Sequence, residues 1–133
     1  MSRDPAEILR DARTIAVVGA SADPARPSHG VMRYLLEHGY RAVPVRPRDC
    51  DEVLGVACVA SLAEIGEPVD LVDVFRRPEF CADVAREAVA AGAGALWLQL
   101  GIVSPEARGI ALDAGLDYVE NLCTAVVHAR EVA

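Results

Sequence analysis

The stretch that decides the fold is TIAVVGASADPARPSHGVMRYLLEH, residues 14–38. Its first six residues are mostly apolar and rich in β-branched side chains, which is typical of a strand covered on both faces. Apolar residues at helical spacing, such as Val31 and Leu35, follow within residues 28–38 and predict a helix. Gly39 stands just past that helix, where a left-handed residue commonly ends the last turn. The stretch therefore predicts a strand, a loop and a covering helix, in that order.

The same alternation continues to the end of the chain. Further strands are predicted at residues 40–45, 69–75, 95–99 and 117–120, and further helices at residues 5–12, 61–65, 79–91, 105–114 and 124–130. This alternation predicts an α/β, Rossmann-like three-layer fold with a five-stranded parallel sheet. Placing the first strand in the middle gives the expected strand order 3-2-1-4-5. The less regular stretch 49–60 leaves open one extra short edge strand at residues 56–59.

The composition is that of a compact, folded chain. Its 133 residues are 53% apolar and 25% charged, so we expect a single domain spanning residues 1–133. The apolar runs are far shorter than the roughly 20 residues of a membrane-spanning helix. Residues 1–13 lack the pattern of a secretory signal, so we expect a cytoplasmic protein. The four cysteines show no metal-ligand spacing, which predicts reduced thiols and no metal site.

The charge balance limits the class of ligand. A formal net charge of −7 argues against broad binding to nucleic acid, because phosphate backbones are attracted by summed positive charge. A small anionic ligand remains compatible, since charges more than about 8 Å apart are largely screened at physiological salt. All 13 basic residues are arginine, whose planar guanidinium group suits phosphates. Genomic base composition explains this usage equally well.

The loop at residues 19–29 is the first candidate for a binding site. Ligands of parallel α/β proteins bind beyond the carboxyl ends of the strands. Gly19 permits a tight turn there, and Ser28 has the chemistry to cap the following helix. A helix start offers unpaired N–H groups to anions, so a diphosphate fits at this place. An ordinary strand-to-helix connection capped by Ser28 is the alternative.

A nicotinamide dinucleotide site is poorly matched. Ser21 and a longer loop replace the expected G-x-G-x-x-G, and Arg46, Pro47 and Arg48 stand where an acidic residue should contact the ribose. The arginines could pair with a ribose phosphate, which leaves an NADP site open. Solvated surface charge is the other interpretation of these arginines.

Further candidates follow the remaining strands. Arg76 and Gln99 are placed at the binding edge, and Phe75 either stacks on a base or closes the core. Asp73 lies within a buried strand, so we expect it to have a hydrogen-bond partner. Cys123 follows the last strand, where a helix start would lower its thiol pKa and permit exchange with a ligand thiol. A buried, inert thiol is the alternative for Cys123.

Six segments carry a family resemblance. They are VVGAS at 17–21, RPSHGV at 26–31, VRP at 45–47, VDVFRR at 72–77, WLQLGI at 97–102 and Cys123. In this order they resemble the small stand-alone CoA-binding domain family, which is related to the nucleotide-binding domain of the succinyl-CoA synthetase alpha subunit. The resemblance implies a Rossmann-like protein that binds coenzyme A (CoA) or an acyl-CoA, with the diphosphate held by the loop after the first strand and the helix start that follows. The implied contact residues are Gly19, Ala20, Ser21, Arg26, Ser28, His29, Arg46, Pro47, Phe75, Arg76, Gln99 and Cys123.

Two positions depart from the family pattern. Arg46 replaces the usual asparagine after the second strand, and Val127 replaces a glutamate before His128. No acid/base constellation is evident, so we expect a noncatalytic carrier, buffer or sensor of CoA, with a homodimer or a partner protein as compatible assemblies. The alternatives are an NADP-dependent oxidoreductase and the nucleotide-binding half of an acyl-CoA ligase that needs a partner chain.

Overall fold

The computed structural model describes residues 2–133 as a sheet flanked by helices. The strands are β1 Thr14–Val18, β2 Arg41–Val45, β3 Glu52–Val53, β4 Val56–Ala57, β5 Leu71–Val74, β6 Ala95–Leu98 and β7 Asp117–Val119. The helices are α1 Pro5–Asp11, α2 Pro27–Glu37, α3 Pro78–Ala90, α4 Pro105–Asp113 and α5 Thr124–Glu131, with a short 3-10 helix at Leu62–Ile65. The predicted α/β alternation is confirmed.

Five parallel strands form the central sheet, in the order β2-β1-β5-β6-β7. The five-stranded parallel sheet is confirmed, but the expected order 3-2-1-4-5 needs a correction. The expected order placed the third predicted strand, residues 69–75, at the edge of the sheet beside β2. In the structure this strand is β5, which pairs with β1 and brings Leu71 opposite Ile15. The chain after β2 instead lies along the outer edge of β2, where Val59 forms a parallel bridge to Val45. That edge is therefore filled, and the next crossover adds β5 on the other side of β1.

A small hairpin interrupts the connection between β2 and β5. Strands β3 and β4 pair antiparallel in a sheet of their own, so the edge strand considered at 56–59 is split between this hairpin and the bridge to β2. Cys50 and Cys58 flank the hairpin and are joined by a disulfide, with Cα atoms 5.9 Å apart. The prediction of reduced thiols is wrong for this pair, because the hairpin brings together two cysteines that are eight positions apart in the sequence. Cys81 and Cys123 are free.

Side chains from the two faces of the sheet form two core layers. Ile15 and Val17 face the layer that contains residues of α1, α2 and α5, and Ala16 and Val18 face the layer of α3 and α4. Trp97 is fully buried, and its indole N–H donates to the carbonyl of Leu122 at 2.8 Å. Within residues 2–133, no helix combines the length and the apolar character needed to cross a bilayer. The sheet that carries the carboxyl-end loops is packed on both of its faces.

Candidate functional site

A cleft opens beyond the carboxyl ends of β1 and β5, between which the strand order reverses. Parallel α/β sheets bind their ligands at such a point. The larger part of the cleft is a cavity of about 990 Å³ between the loops after β1, β5 and β6. A smaller cavity of about 400 Å³ lies beyond β1 and β2. Gly19, Arg46 and Arg76 line both cavities, so the two adjoin.

The structure gathers all but one of the predicted contact residues at this cleft. The larger cavity is lined by Gly19, Ser21, Arg26, Ser28, Arg46, Phe75, Arg76, Gln99 and Cys123. Ala20 and Pro47 line the smaller cavity. His29 is buried in the first turn of α2 and lines neither cavity, and its Nδ1 atom has no hydrogen-bond partner within residues 2–133. Contact of each residue with a ligand stays a prediction.

Gly19 joins three loops at the centre of the cleft. Its φ angle is +87°, and a Cβ atom at this position would lie 2.5 Å from the carbonyl oxygen of Phe75. Its N–H donates to the carbonyl of Val45 at 3.1 Å. Only glycine fits such a left-handed conformation against a neighbouring backbone without strain. The loop after β1 is therefore packed tightly against the loop after β5.

The loop between β1 and α2 is shaped by its own polar side chains. Ser21 is buried, and its hydroxyl accepts from the N–H of Asp23 at 3.0 Å, while the Asp23 carboxylate accepts from the N–H of Ala25 at 2.9 Å. The prediction that Ser28 caps α2 is wrong. The helix begins at Pro27, whose fixed φ suits a first helical residue, so Ser28 is the second residue and lies buried at the cavity wall.

Three helices begin at the cleft, and none of them has a side-chain cap. Their N-cap residues are Arg26 for α2, Arg77 for α3 and Cys123 for α5. Helices α1 and α4 begin outside these two cavities and are capped by the side chains of Asp4 and Ser104. The first-turn N–H groups at the cleft therefore lack side-chain acceptors and carry partial positive charge. Such helix starts favour an anionic ligand.

The cleft also gathers cationic side chains that lack acidic partners. The arginines that line it are Arg26, Arg46, Arg48, Arg76 and Arg77. The salt bridges within residues 2–133 involve other arginines. Arg46 donates to the carbonyl of Arg48 at 3.1 Å, and the Arg76 guanidinium lies 4.5 Å from the ring centroid of Phe80. These contacts orient the two guanidinium groups and leave their charges available to a ligand.

A buried polar network lies at the floor of the larger cavity. The Gln99 amide N–H₂ donates to Asp73 Oδ1 and, at 3.0 Å, to Thr124 Oγ1, and the Thr124 hydroxyl donates to Asp73 Oδ2 at 3.0 Å. The expected partner of Asp73 is thus confirmed. Burial raises the pKa of Asp73 to about 7, and the two hydrogen bonds oppose this rise. The role of Thr124 in this network was not predicted, although the sequence does show a hydroxyl residue at the predicted start of the last helix.

Asp73 gives a testable pH dependence of stability. Its folded-state pKa of about 7 lies above the ordinary value of 3.8, so the folded state binds this proton more tightly and the stability contributed by the neutral carboxyl is lost as pH rises to about 7. Relative to Asp73→Asn, the wild-type free energy of unfolding should fall by up to about 1.4 kcal/mol per pH unit between about pH 4 and pH 7. Urea denaturation over this range measures the difference. An Asp113→Asn variant controls for the loss of a surface carboxylate, and a pH-independent difference for Asp73→Asn would contradict the prediction.

Comparison with known proteins agrees with this geometry. The model of the CoA binding domain family matches residues 13–129. The chain is 43% identical over 123 residues to the uncharacterised protein YneT of Bacillus subtilis (strain 168), which covers 92% of this chain and 90% of that protein. A solved structure described as cell-free ID.343 from Thermus thermophilus superposes with a TM-score of 0.90 at 45% identity, covering 96% of this chain and 98% of that one.

A larger enzyme contains a similar fold. Acetyl-coenzyme A synthetase 1 of Ca. Korarchaeum cryptofilum matches with a TM-score of 0.75 at 25% identity, and the match covers 86% of this chain but 27% of that enzyme. The family model spans β1 to α5 and so includes every loop of the cleft. The resemblance identified in the sequence is thereby confirmed, and the chain belongs to the CoA-binding domain family.

Proposed function

We propose that the protein binds CoA or an acyl-CoA without catalysing a reaction by itself, and acts as a carrier, buffer or sensor of that ligand. The proposal rests on one observation above all. Arginines without acidic partners and helix starts without side-chain caps meet at a single cleft, in a chain with a net charge of −7. Charge-assisted hydrogen bonds from such groups are strongest with phosphate oxygens.

The proposed pose places the diphosphate in the larger cavity. It would lie over the loop that follows Gly19, between the first turn of α2 at Ser28 and the guanidinium of Arg76. The backbone N–H groups of the loop and helix start would supply donors there, as in other phosphate sites at helix N-termini. The adenosine would enter the smaller cavity beside Arg46 and Pro47. The two volumes, about 990 and 400 Å³, are in the range of cavities that hold ligands of this size.

The positions of the histidines support the proposed lack of catalysis. Among residues 2–133, no histidine lines either cavity. His38 stacks on Tyr34, and His128 hydrogen-bonds to the same tyrosine at 2.8 Å. Asp73 is buried below the cavity and engaged by two partners. None of these three groups is therefore placed to transfer a proton to a bound ligand.

A second candidate is the nucleotide-binding half of an acyl-CoA ligase. It is favoured by the match to 27% of the Korarchaeum acetyl-coenzyme A synthetase. In this case a partner chain would supply the remaining domains and the catalytic groups. The cleft described above would still hold the CoA moiety, so both candidates share the first experiment.

Calorimetric titration tests the proposal directly. We expect CoA and acetyl-CoA to bind more tightly than NADPH and NADH. The affinities for CoA and acetyl-CoA should fall when the salt concentration is raised, because exposed arginines attract the phosphates of the ligand. A ligand at a hundredfold excess over its Kd should stabilise the fold by about 2.7 kcal/mol, which thermal melting detects. Tighter binding of NADPH would favour an oxidoreductase. A melting temperature that no nucleotide raises would remove the proposal.

A further inference from the structure

The floor of the larger cavity contains a polar side chain whose orientation is fixed from below. Asp73 and Thr124 are completely buried, and Gln99 is 4% exposed, although it lines the cavity. The three side chains form a closed set of hydrogen bonds, with Gln99 bonded to both partners and these bonded to each other. Buried polar groups of this kind hold a single arrangement only when each proton has an acceptor.

When Asp73 is ionised, the chemistry of the three groups fixes every proton. An ionised carboxylate only accepts, so Asp73 requires donors from both neighbours. The Thr124 hydroxyl has one proton and donates it to Asp73, so its oxygen accepts from Gln99. Both N–H bonds of the Gln99 amide are then in use, one to Asp73 and one to Thr124. Within this network, the carbonyl oxygen Oε1 is then the only hydrogen-bonding atom of the Gln99 amide group that has no partner.

That oxygen faces the cavity. No side chain or backbone N–H within residues 2–133 donates to Gln99 Oε1, and His29 Nδ1 is the sole buried side-chain N or O atom of this part of the chain that lacks a partner. Gln99 Oε1 is therefore accessible, and the accessible space beside it is the larger cavity. The wall of this cavity thus presents a hydrogen-bond acceptor at Gln99.

We propose that Asp73 and Thr124 are positioning residues that lock Gln99 as an acceptor, so that this wall selects a ligand group carrying a donor proton. The inference rests on the proposed function, and it adds the chemistry of the ligand arm. Leu100, Ile102 and Cys123 line the same cavity as Gln99 and offer apolar or weakly polar surface, which suits the ligand arm better than the diphosphate. The group opposite Gln99 is then an amide N–H, the hydroxyl or the thiol S–H of the pantetheine arm, and a carbonyl or carboxylate at this place is disfavoured.

The Asp73→Asn variant tests the lock. In this variant the Thr124 hydroxyl proton keeps its acceptor only if the oxygen of the new amide faces it, which turns the N–H₂ of that amide toward Gln99. Gln99 then flips and presents N–H to the cavity. We expect the affinity for CoA to fall about three- to tenfold, as for the loss of one neutral hydrogen bond. Calorimetry at about pH 8, above the Asp73 pKa of about 7, keeps the wild-type carboxylate ionised.

Two controls separate a lock from general damage. Adenosine 3′,5′-diphosphate lacks the arm, so its affinity should not change in Asp73→Asn. Asp70 lies at the other end of β5 and accepts from the N–H groups of Arg13 and Thr14 at 2.9 Å, so Asp70→Asn removes a comparable structural carboxylate away from the cleft. Gln99→Met deletes the acceptor itself while Thr124 still holds Asp73. It should weaken CoA to a similar extent and provides the test if Asp73→Asn does not fold.

The outcomes divide clearly. An equal loss for CoA and acetyl-CoA identifies an amide N–H or the hydroxyl of the arm as the donor, because acylation changes only the thiol. A loss confined to CoA identifies the thiol. Unchanged CoA affinity in the folded Asp73→Asn and Gln99→Met variants, or an equal loss for adenosine 3′,5′-diphosphate, overturns the lock while leaving the proposed function standing. Failure of the wild-type protein to bind CoA overturns both.

Discussion

Replacing Arg46 and Arg76 together by alanine is expected to weaken CoA binding by more than about a hundredfold. A hydrogen bond to a charged group contributes about 1.5 to 3 kcal/mol, so each single substitution should cost about 10- to 150-fold in affinity. Both side chains line the two cavities. Neither forms a salt bridge with an acidic residue within residues 2–133, so each substitution removes a charge that is available to the ligand. The remaining affinity of the double variant should also depend less on salt.

Calorimetric titration of the two single variants and the double variant measures this effect. Arg33→Ala is the matched control, because Arg33 is an exposed arginine of α2 that lines neither cavity. Arg76 also lies against the Phe80 ring, so thermal melting of each variant separates lost packing from lost binding. Equal affinity of the double variant and Arg33→Ala would place the phosphates elsewhere.

Gly19→Ala is expected to have the second large effect, on stability and binding together. A left-handed φ costs an alanine about 1 to 2 kcal/mol, and the new Cβ would also collide with the carbonyl of Phe75. Overpacking of this kind adds about 1 to 3 kcal/mol. The collision can be relieved only if the loops after β1 and β5 separate. Affinity for CoA should therefore fall at least about tenfold as the proposed diphosphate site is distorted.

Gly39→Ala isolates the collision from the backbone strain. Gly39 has a φ of +88°, nearly that of Gly19, and nothing lies within 4 Å of the position that its Cβ would take. Urea denaturation should show Gly19→Ala to be less stable than Gly39→Ala by the overpacking contribution, and CoA titration should show a loss for Gly19→Ala alone. Equal stabilities for the two variants would mean that the contact at Gly19 is easily relieved.

The secondary structure could be predicted from local pattern, whereas the order of the strands could not. Short apolar runs and glycines past the helices predict where strands and helices lie, because these signals act over a few residues. Whether β5 joins the sheet beside β2 or beside β1 depends on what already lies along the edge of β2. That edge is taken by the segment around Val59, through a single bridge that no local periodicity predicts. The disulfide between Cys50 and Cys58 was not predicted for the same reason, since it depends on the hairpin that forms between them.

The candidate site could be predicted better than the sheet order. Parallel strands direct all their carboxyl ends to one edge, so residues after β1, β2, β5 and β6 gather there in either order. His29 and Ser28 show where this reasoning fails. Pro27 starts α2 one residue earlier than expected, so Ser28 does not cap the helix, and His29 lies under the helix start instead of at the cavity wall.

The uncapped starts of α2, α3 and α5 also affect how quickly the unliganded protein is degraded. A serine or aspartate cap stabilises a helix by about 0.5 to 2 kcal/mol, yet its oxygen would compete with a phosphate for the same amides. The chain thus forgoes part of its intrinsic stability in the unliganded state, and the proposed anionic ligand would restore it. Proteases act on the unfolded fraction, so degradation should be fastest when the ligand is scarce and slow when it is abundant. Cellular abundance of the protein would then follow the supply of its own ligand.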